Sequence, residues 1–138
     1  MTTTTQLLIG ALSCLLFILI ARRAGLRREV ILYAVALVAA ALVYVVFAVA
    51  GGAARSRLLL ESGGLVLFSL VALLGLRVSV WVLALGWAAH AVWDVVPGAV
   101  LGAGAVPEWY PVVCLGFDLF LAGYIVMRMT DGGGARAA

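Results

Sequence analysis

Five long apolar runs, separated by short segments rich in charge, glycine or proline, form the main pattern of the chain. They cover approximately residues 6–21, 30–50, 58–76, 78–96 and 111–129. Each is close to the ~20 residues that a helix needs to cross roughly 30 Å of hydrocarbon. Only helices and closed barrels satisfy their backbone in lipid, and these continuous runs lack the alternation of barrel strands. The pattern therefore predicts an all-α fold: a polytopic transmembrane bundle of five helices, with a flexible polar tail over residues 130–138.

The composition supports a single transmembrane domain over residues 1–138. Hydrophobic residues make up 67% of the chain and charged residues 11%, and the mean hydropathy is +1.26. A soluble domain has about 45–50% apolar and about 25% charged residues. A globule this small could not cover the surplus, so the lipid bilayer is the predicted partner. The third and fourth runs are joined by little more than Arg77, which leaves open whether both cross fully.

The arginines predict the orientation of the bundle. With the N-terminus outside and the C-terminus in the cytoplasm, seven arginines lie inside and two outside. The inner ones are Arg22, Arg23, Arg27, Arg28, Arg77, Arg128 and Arg136, and the outer ones are Arg55 and Arg57. This distribution agrees with the positive-inside rule. Because the arginines flank apolar runs and no aromatic-interleaved basic surface exists, a nucleic-acid partner is not predicted.

Four ionisable side chains lie within the runs, where charge is costly and usually marks function or a packed polar pair. A helix rises about 1.5 Å per residue, which places His90 and Asp118 about 10 Å, Asp94 about 5 Å and Glu61 about 6 Å below the outer boundary. Three helices thus bring ionisable groups to one layer. No comparable group is predicted for the inner half.

Helical spacing groups these residues into a predicted acidic pocket. Trp87, His90 and Asp94 share one face of the fourth helix at i, i+3 and i+7, and Cys114 and Asp118 share a face of the fifth. The candidate substrate-binding residues are Trp87, Trp93, Tyr44 and Cys114. A structural interpretation stays open for each group: His90 and Asp94 can form a packed polar pair that holds helices together, Asp118 can neutralise that pair, and Glu61 can reach water or pair with Arg57.

A sequence motif connects the last two helices. Gly-Trp-x-x-His-x-x-Trp-Asp occurs at residues 86–94, and Cys-x-x-x-Asp occurs at residues 114–118. The combination resembles an uncharacterised family of small bacterial polytopic membrane proteins, a domain of unknown function. The resemblance implies that His90, Asp94 and Asp118 act as one unit in a bacterial plasma membrane, but it supplies no reaction. Val96-Pro97 stands where such proteins often carry a further histidine, which weakens a multi-histidine metal site.

The leading functional hypothesis is an enzyme that performs acid–base isomerisation or cyclisation on a lipophilic, isoprenoid-like small molecule. Apolar surroundings disfavour charged groups, so Asp118 or Asp94 is the predicted acid and His90 the predicted base. Glu61 is included as a fourth catalytic candidate. Tryptophan faces would stabilise a cationic intermediate. Neither a cofactor nor a metal ion is predicted.

Three other functions stay open at this stage. His90, Asp94, Asp118 and Glu61 could bind a divalent ion for hydrolysis, although one histidine with carboxylates is a poor zinc set. A small transporter or proton-coupled carrier could use the acids as a relay, and a homo-oligomer could form a path along its axis. An accessory subunit could pair its acids with the arginines of a partner.

Overall fold

The computed structural model describes residues 1–101 and 106–134, without the side chains of residues 98–101 and 131–134. Within these ranges the chain is helical and has no strand. The helices are α1 Thr3–Arg23, α2 Leu26–Ala50, α3 Arg55–Arg77, α4 Val80–Leu101 and α5 Trp109–Gly134. All five are long and apolar enough to cross a membrane. The predicted fold class is confirmed, and the chain is a multi-pass membrane protein by this criterion.

Local sequence explains where the first two helices begin and end. The Thr2 hydroxyl accepts a hydrogen bond from the backbone N–H of Thr5 at 3.2 Å and caps α1. The threonines thereby lengthen the predicted first run at its start. The turn into α2 passes through Gly25 at φ 87°, and the turn after α2 passes through Gly52 at φ 61°. Residues with a Cβ rarely adopt such positive φ values, so glycine suits both turns.

α3 and α4 are separate helices despite their short connection, and each is long and apolar enough to cross a membrane. Only Val78 and Ser79 lie between them, and the Ser79 hydroxyl accepts a hydrogen bond from the N–H of Trp81 at 3.3 Å. α4 was predicted to end before Pro97, but it continues to Leu101 with the proline inside it. Proline removes one backbone donor from a helix, and transmembrane helices tolerate this where neighbouring groups compensate. The carbonyl that loses its helical donor is that of Trp93, one turn before Pro97. Arg57 Nη1 donates to a different acceptor, the Pro97 carbonyl, at 3.4 Å, and this contact joins the start of α3 to α4.

The end of the chain also differs from the prediction. The polar tail was expected from residue 130, whereas α5 continues to Gly134. Residues 135–138 of the predicted tail lie outside the described residues.

The helices form a ring in which α1 packs on α5, α5 on α4, α4 on α3, and α3 on α2. Two glycines let α1 and α5 approach closely: the backbone of Val113 lies against Gly10, and the backbone of Leu7 lies against Gly116. α2 also packs, less closely, on α1 and α4. As in the remaining helix pairs, no pair of described Cα atoms of α2 and α5 comes within 8 Å. Aromatic side chains bridge this gap, with Tyr44 and Tyr110 centroids 5.7 Å apart.

The ring has two ends that we name by the predicted orientation. The predicted outer end holds the start of α1 and the α2–α3 and α4–α5 connections. The predicted inner end holds the α1–α2 and α3–α4 turns and the end of α5. Large apolar side chains are exposed on all five helices, as expected of a surface that faces lipid.

Candidate functional site

Three of the predicted ionisable residues meet inside the bundle. α4 carries His90 and Asp94 one turn apart, and α5 brings Asp118 to the same level. His90 Nδ1 lies 2.7 Å from Asp118 Oδ2 and 3.5 Å from Asp94 Oδ1. None of the three is more than 3% exposed. We call this group the His–Asp–Asp unit; it can share protons, because one imidazole nitrogen is within reach of two carboxyl groups.

Side chains from α2 and α3 complete the surroundings of the unit. The Tyr44 hydroxyl donates to Asp94 Oδ1 at 2.6 Å, which fixes one oxygen of that carboxyl. The Phe68 ring meets the His90 ring edge to face, with centroids 4.8 Å apart. Trp87 is fully buried, and its ring lies 5.7 Å from that of Phe117. The unit therefore has aromatic walls, and Phe68 is a member that sequence reasoning missed.

Glu61 does not form a hydrogen bond with the unit. Its Oε1 accepts from Arg57 Nε at 2.7 Å, and its Oε2 accepts from Trp93 Nε1 at 3.1 Å. The carboxylate is only 2% exposed, so the ion pair and the indole satisfy a buried charge. The group joins α3 to α4 near the predicted outer end. Pairing with Arg57 was the structural alternative for Glu61, and the geometry agrees with it. Trp93 likewise uses its only side-chain donor in the hydrogen bond to Glu61.

Two cavities reach the unit from different sides. The first, which we call the lateral cavity, has a volume of about 230 Å³. Its lining is Ala36, Ala39, Ala40, Trp87, Val113, Cys114, Phe117 and Asp118. The second, the outer cavity, has a volume of about 180 Å³. It is lined by Tyr44, Arg57, Trp93, Asp94, Val106, Glu108 and Pro111. Asp118 thus faces an apolar space, and Asp94 faces a space with several polar groups.

Three buried polar atoms near the unit, Trp87 Nε1, His90 Nε2 and Asp94 Oδ2, have no regular hydrogen bond among the described residues, although the carboxyl groups of Asp94 and Asp118 lie close enough to interact. Buried polar groups in native proteins are nearly always satisfied, so unpaired ones call for an explanation such as a ligand or a catalytic role. All three belong to one helical face of α4. Their concentration distinguishes this site from the fully paired Glu61 group.

The predicted inner half contains a polar group that sequence reasoning missed. Glu29 is 4% exposed, and its Oε1 accepts from the hydroxyls of Tyr33 at 2.8 Å and Tyr124 at 3.2 Å. Its Oε2 lies 3.4 Å from Arg128 Nη2. A cavity of about 280 Å³ adjoins this group. The expectation that the inner half has no comparable group is therefore wrong. The i, i+4 pair of Glu29 and Tyr33 was the available signal, but Glu29 lies one residue before the predicted second run.

The unit also offers a set of metal-ligand atoms. One atom each from His90, Asp94 and Asp118 can be chosen so that all lie within 4.8 Å of one another. A nitrogen and two carboxylate oxygens form a hard, incomplete set that resembles the ligands of several divalent ions. The remaining ligands would come from water or from a substrate.

No known protein family, no curated protein and no solved structure matches the chain. The resemblance to a family of bacterial membrane proteins consequently stays a prediction, and the function has to be inferred from the site.

Proposed function

We propose that this protein is a membrane-embedded acid–base enzyme of the bacterial plasma membrane that isomerises or cyclises a lipophilic, isoprenoid-like substrate. One observation carries the proposal: the His–Asp–Asp unit lies between the lateral cavity, lined by Asp118, and the outer cavity, lined by Asp94. A substrate in the apolar space would meet a carboxyl group there. Protons could be exchanged from the opposite, more polar side.

The proposed reaction moves two protons and consumes none. The Asp118 carboxyl gives a proton to the substrate, and the Trp87 and Phe117 rings stabilise the positive charge that forms. In a cyclisation, an internal double bond of the substrate first attacks the cation and closes the ring. His90 lines neither cavity, so we assign the last step to its unpaired Nε2, which takes a proton from a carbon next to the cation once the substrate reaches past Asp118 and leaves a double bond there. The 2.7 Å contact between His90 Nδ1 and Asp118 Oδ2 lets a proton return from the imidazolium to the carboxylate.

Asp94 has a different role in this proposal. Its Oδ1 is held by the Tyr44 hydroxyl, and it is 3.5 Å from His90 Nδ1. It lines the outer cavity but not the lateral cavity. We therefore assign it to orienting His90 and to proton exchange with the outer side. Glu61 is no longer part of the proposed catalytic set, because Arg57 and Trp93 already satisfy both of its oxygens.

Deuterium incorporation tests the proposal with a mixture of lipids and needs no purified substrate. The purified protein in lipid nanodiscs would be supplied with a bacterial lipid extract in D₂O, and labelled isoprenoid-like products would be sought by mass spectrometry. We expect labelling by the wild type and none by Asp118→Asn or His90→Ala. Ser69→Ala serves as a control, because that hydroxyl bonds only the Leu65 carbonyl of its own helix. Equal labelling by wild type, Asp118→Asn and His90→Ala would refute the proposal.

A proton-coupled carrier is the second candidate, and the Glu29 group favours it. Its buried carboxylate provides a polar site in the predicted inner half, at the other end of the gap between α2 and α5. A proton relay across the membrane needs a second ionisable group of this kind. Proton flux into liposomes under an imposed pH gradient tests this candidate. Flux that disappears in both Asp118→Asn and Glu29→Ala supports the carrier, and flux no greater than in empty liposomes contradicts it.

A divalent-metal hydrolase is supported only by the closeness of the three ligand atoms of His90, Asp94 and Asp118. Elemental analysis of the purified protein decides this candidate. About one metal ion per chain, lost in His90→Ala, would favour it over the metal-free mechanism.

A further inference from the structure

The Trp87 indole N–H has no acceptor among the described residues, although the side chain is fully buried. Trp93, further along α4, provides the comparison, because its Nε1 donates to Glu61 Oε2 at 3.1 Å. A buried donor without a partner is unfavourable, and tryptophan placed only to fill space in a core normally finds one. A phenylalanine would supply the aromatic wall without this cost. The N–H of Trp87 therefore calls for a partner that the described residues do not supply, either a buried water or a ligand in the cavity that the ring lines.

Trp87 and Asp118 line the same lateral cavity. The other walls are alanines of α2 and Val113, Cys114 and Phe117 of α5. Polar chemistry in this cavity is thus limited to the indole, the thiol and the carboxyl. Trp87 has a donor and no acceptor. A carboxyl that holds its proton is also a donor, so the complementary ligand atom is one that accepts two hydrogen bonds.

The position of the cavity favours a ligand that arrives from lipid. It lies in the gap between α2 and α5, where no described Cα pair is within 8 Å. Ala39, which lines it, is exposed near the middle of α2. The middle of a spanning helix faces hydrocarbon, so a molecule at this point must be largely apolar.

We infer that Trp87 and Asp118 form an oxygen-binding pair, so that the substrate is an isoprenoid-like lipid bearing an epoxide, carbonyl or ether oxygen rather than a hydrocarbon. This inference rests on the proposed function and specifies its substrate class. With an epoxide, Asp118 protonates the oxygen, one C–O bond breaks, and a hydroxyl and a carbocation form. His90 removes a proton from the adjacent carbon, which yields an allylic alcohol isomeric with the epoxide. Trp87 holds the oxygen throughout.

Binding of a matched pair of probes tests the inference. The probes are geranylacetone and the hydrocarbon in which a methylene group replaces its carbonyl oxygen, each offered to the protein in nanodiscs and quantified by native mass spectrometry. We expect the wild type to prefer the ketone. Trp87→Phe keeps the ring and loses the N–H, so the preference should fall about 3- to 10-fold, the value of one hydrogen bond. Trp81→Phe is the control, since Trp81 is 43% exposed at the predicted inner end.

A second measurement needs no variant and does not depend on how Trp87→Phe folds. In the wild type labelled with ¹⁵N-indole, geranylacetone should shift one of the four indole N–H resonances, and the hydrocarbon should not. Equal binding of the two probes, or an undiminished preference in a Trp87→Phe protein that binds the hydrocarbon normally, would overturn the oxygen-binding pair and leave the proposed enzyme standing. Binding of neither probe would contradict both.

Discussion

Tyr44→Phe isolates one hydrogen bond of the His–Asp–Asp unit, because it removes a hydroxyl and keeps the ring. The Tyr44 hydroxyl lies 2.6 Å from Asp94 Oδ1, and the two residues are 2% and 3% exposed. Side-chain hydrogen bonds between membrane helices average about 0.6 kcal/mol and reach about 1.7 kcal/mol. A short bond to a nearly buried carboxyl belongs at the upper end. We therefore expect the substitution to lower the free energy of unfolding by about 1.5 kcal/mol.

Tyr124→Phe is the matched comparison. The Tyr124 hydroxyl is 3.2 Å from Glu29 Oε1, which also accepts from Tyr33 at 2.8 Å. The carboxylate keeps its shorter bond in this variant, so we expect a loss of about 0.5 kcal/mol. Both variants would be unfolded by SDS titration in mixed micelles and followed by far-ultraviolet circular dichroism.

A double-mutant cycle tests the origin of the effect. If the hydrogen bond to Asp94 causes the loss, Tyr44→Phe should cost almost nothing in an Asp94→Ala background, with a coupling of about 1.5 kcal/mol. The reasoning is refuted if Tyr44→Phe costs no more than Tyr124→Phe, or if its cost is the same in both backgrounds.

Three further predictions concern the packing and the two other carboxylates. Gly116→Ala should lower the free energy of unfolding by about 1–2 kcal/mol in the same SDS titration, since the new Cβ would overlap the backbone of α1. A Cβ at Gly123 on the same helix meets nothing within 4 Å, so Gly123→Ala should be neutral or slightly stabilising. Glu29→Ala should cost about 2 kcal/mol by leaving two tyrosine donors unpaired. Glu29→Gln should cost only about 0.5 kcal/mol, because Arg128 is 40% exposed and its ion pair with Glu29 contributes little. Equal costs of the two substitutions would contradict this assignment. Glu61→Gln should reduce deuterium labelling less than about tenfold, because the Glu61 carboxylate is already bonded to Arg57 and Trp93. Asp118→Asn should abolish labelling, and similar losses in the two variants would return Glu61 to the catalytic set.

Hydrophobic pattern was sufficient to predict the spans, because a helix in lipid needs a long apolar run whatever its neighbours are. The convergence of His90, Asp94 and Asp118 was also predictable, since helix rise and spacing alone place them at one depth and on definable faces. The predicted ends of the helices were less accurate. Pro97 is a strong stop signal in soluble helices, but α4 continues through it in this bundle.

Features that depend on how helices rotate against one another could not be predicted. Phe68 is one apolar residue among many in α3, and nothing in its sequence marks it as the neighbour of His90. Four glycines, at positions 63, 64, 116 and 123, lie within helices, where the missing side chain would let another helix approach closely. A Cβ at Gly64 would meet Trp93, and one at Gly116 would meet α1, but Gly63 and Gly123 have nothing within 4 Å. The sequence shows where a side chain is missing, but not what faces the space.

Two helix pairs differ in how closely they pack, and this difference bears on the purpose of the site. α1 and α5 touch through glycines at backbone distance, while α2 and α5 are kept apart by tyrosine pairs at each end, Tyr44 with Tyr110 and Tyr33 with Tyr124. The lateral cavity, the outer cavity and the cavity beside Glu29 all border both α2 and α5. If the buried acids served only to hold the bundle together, close packing of this pair would stabilise it further by dispersion contacts. Aromatic spacers that maintain an apolar space beside a carboxyl are better explained by a molecule that occupies the space.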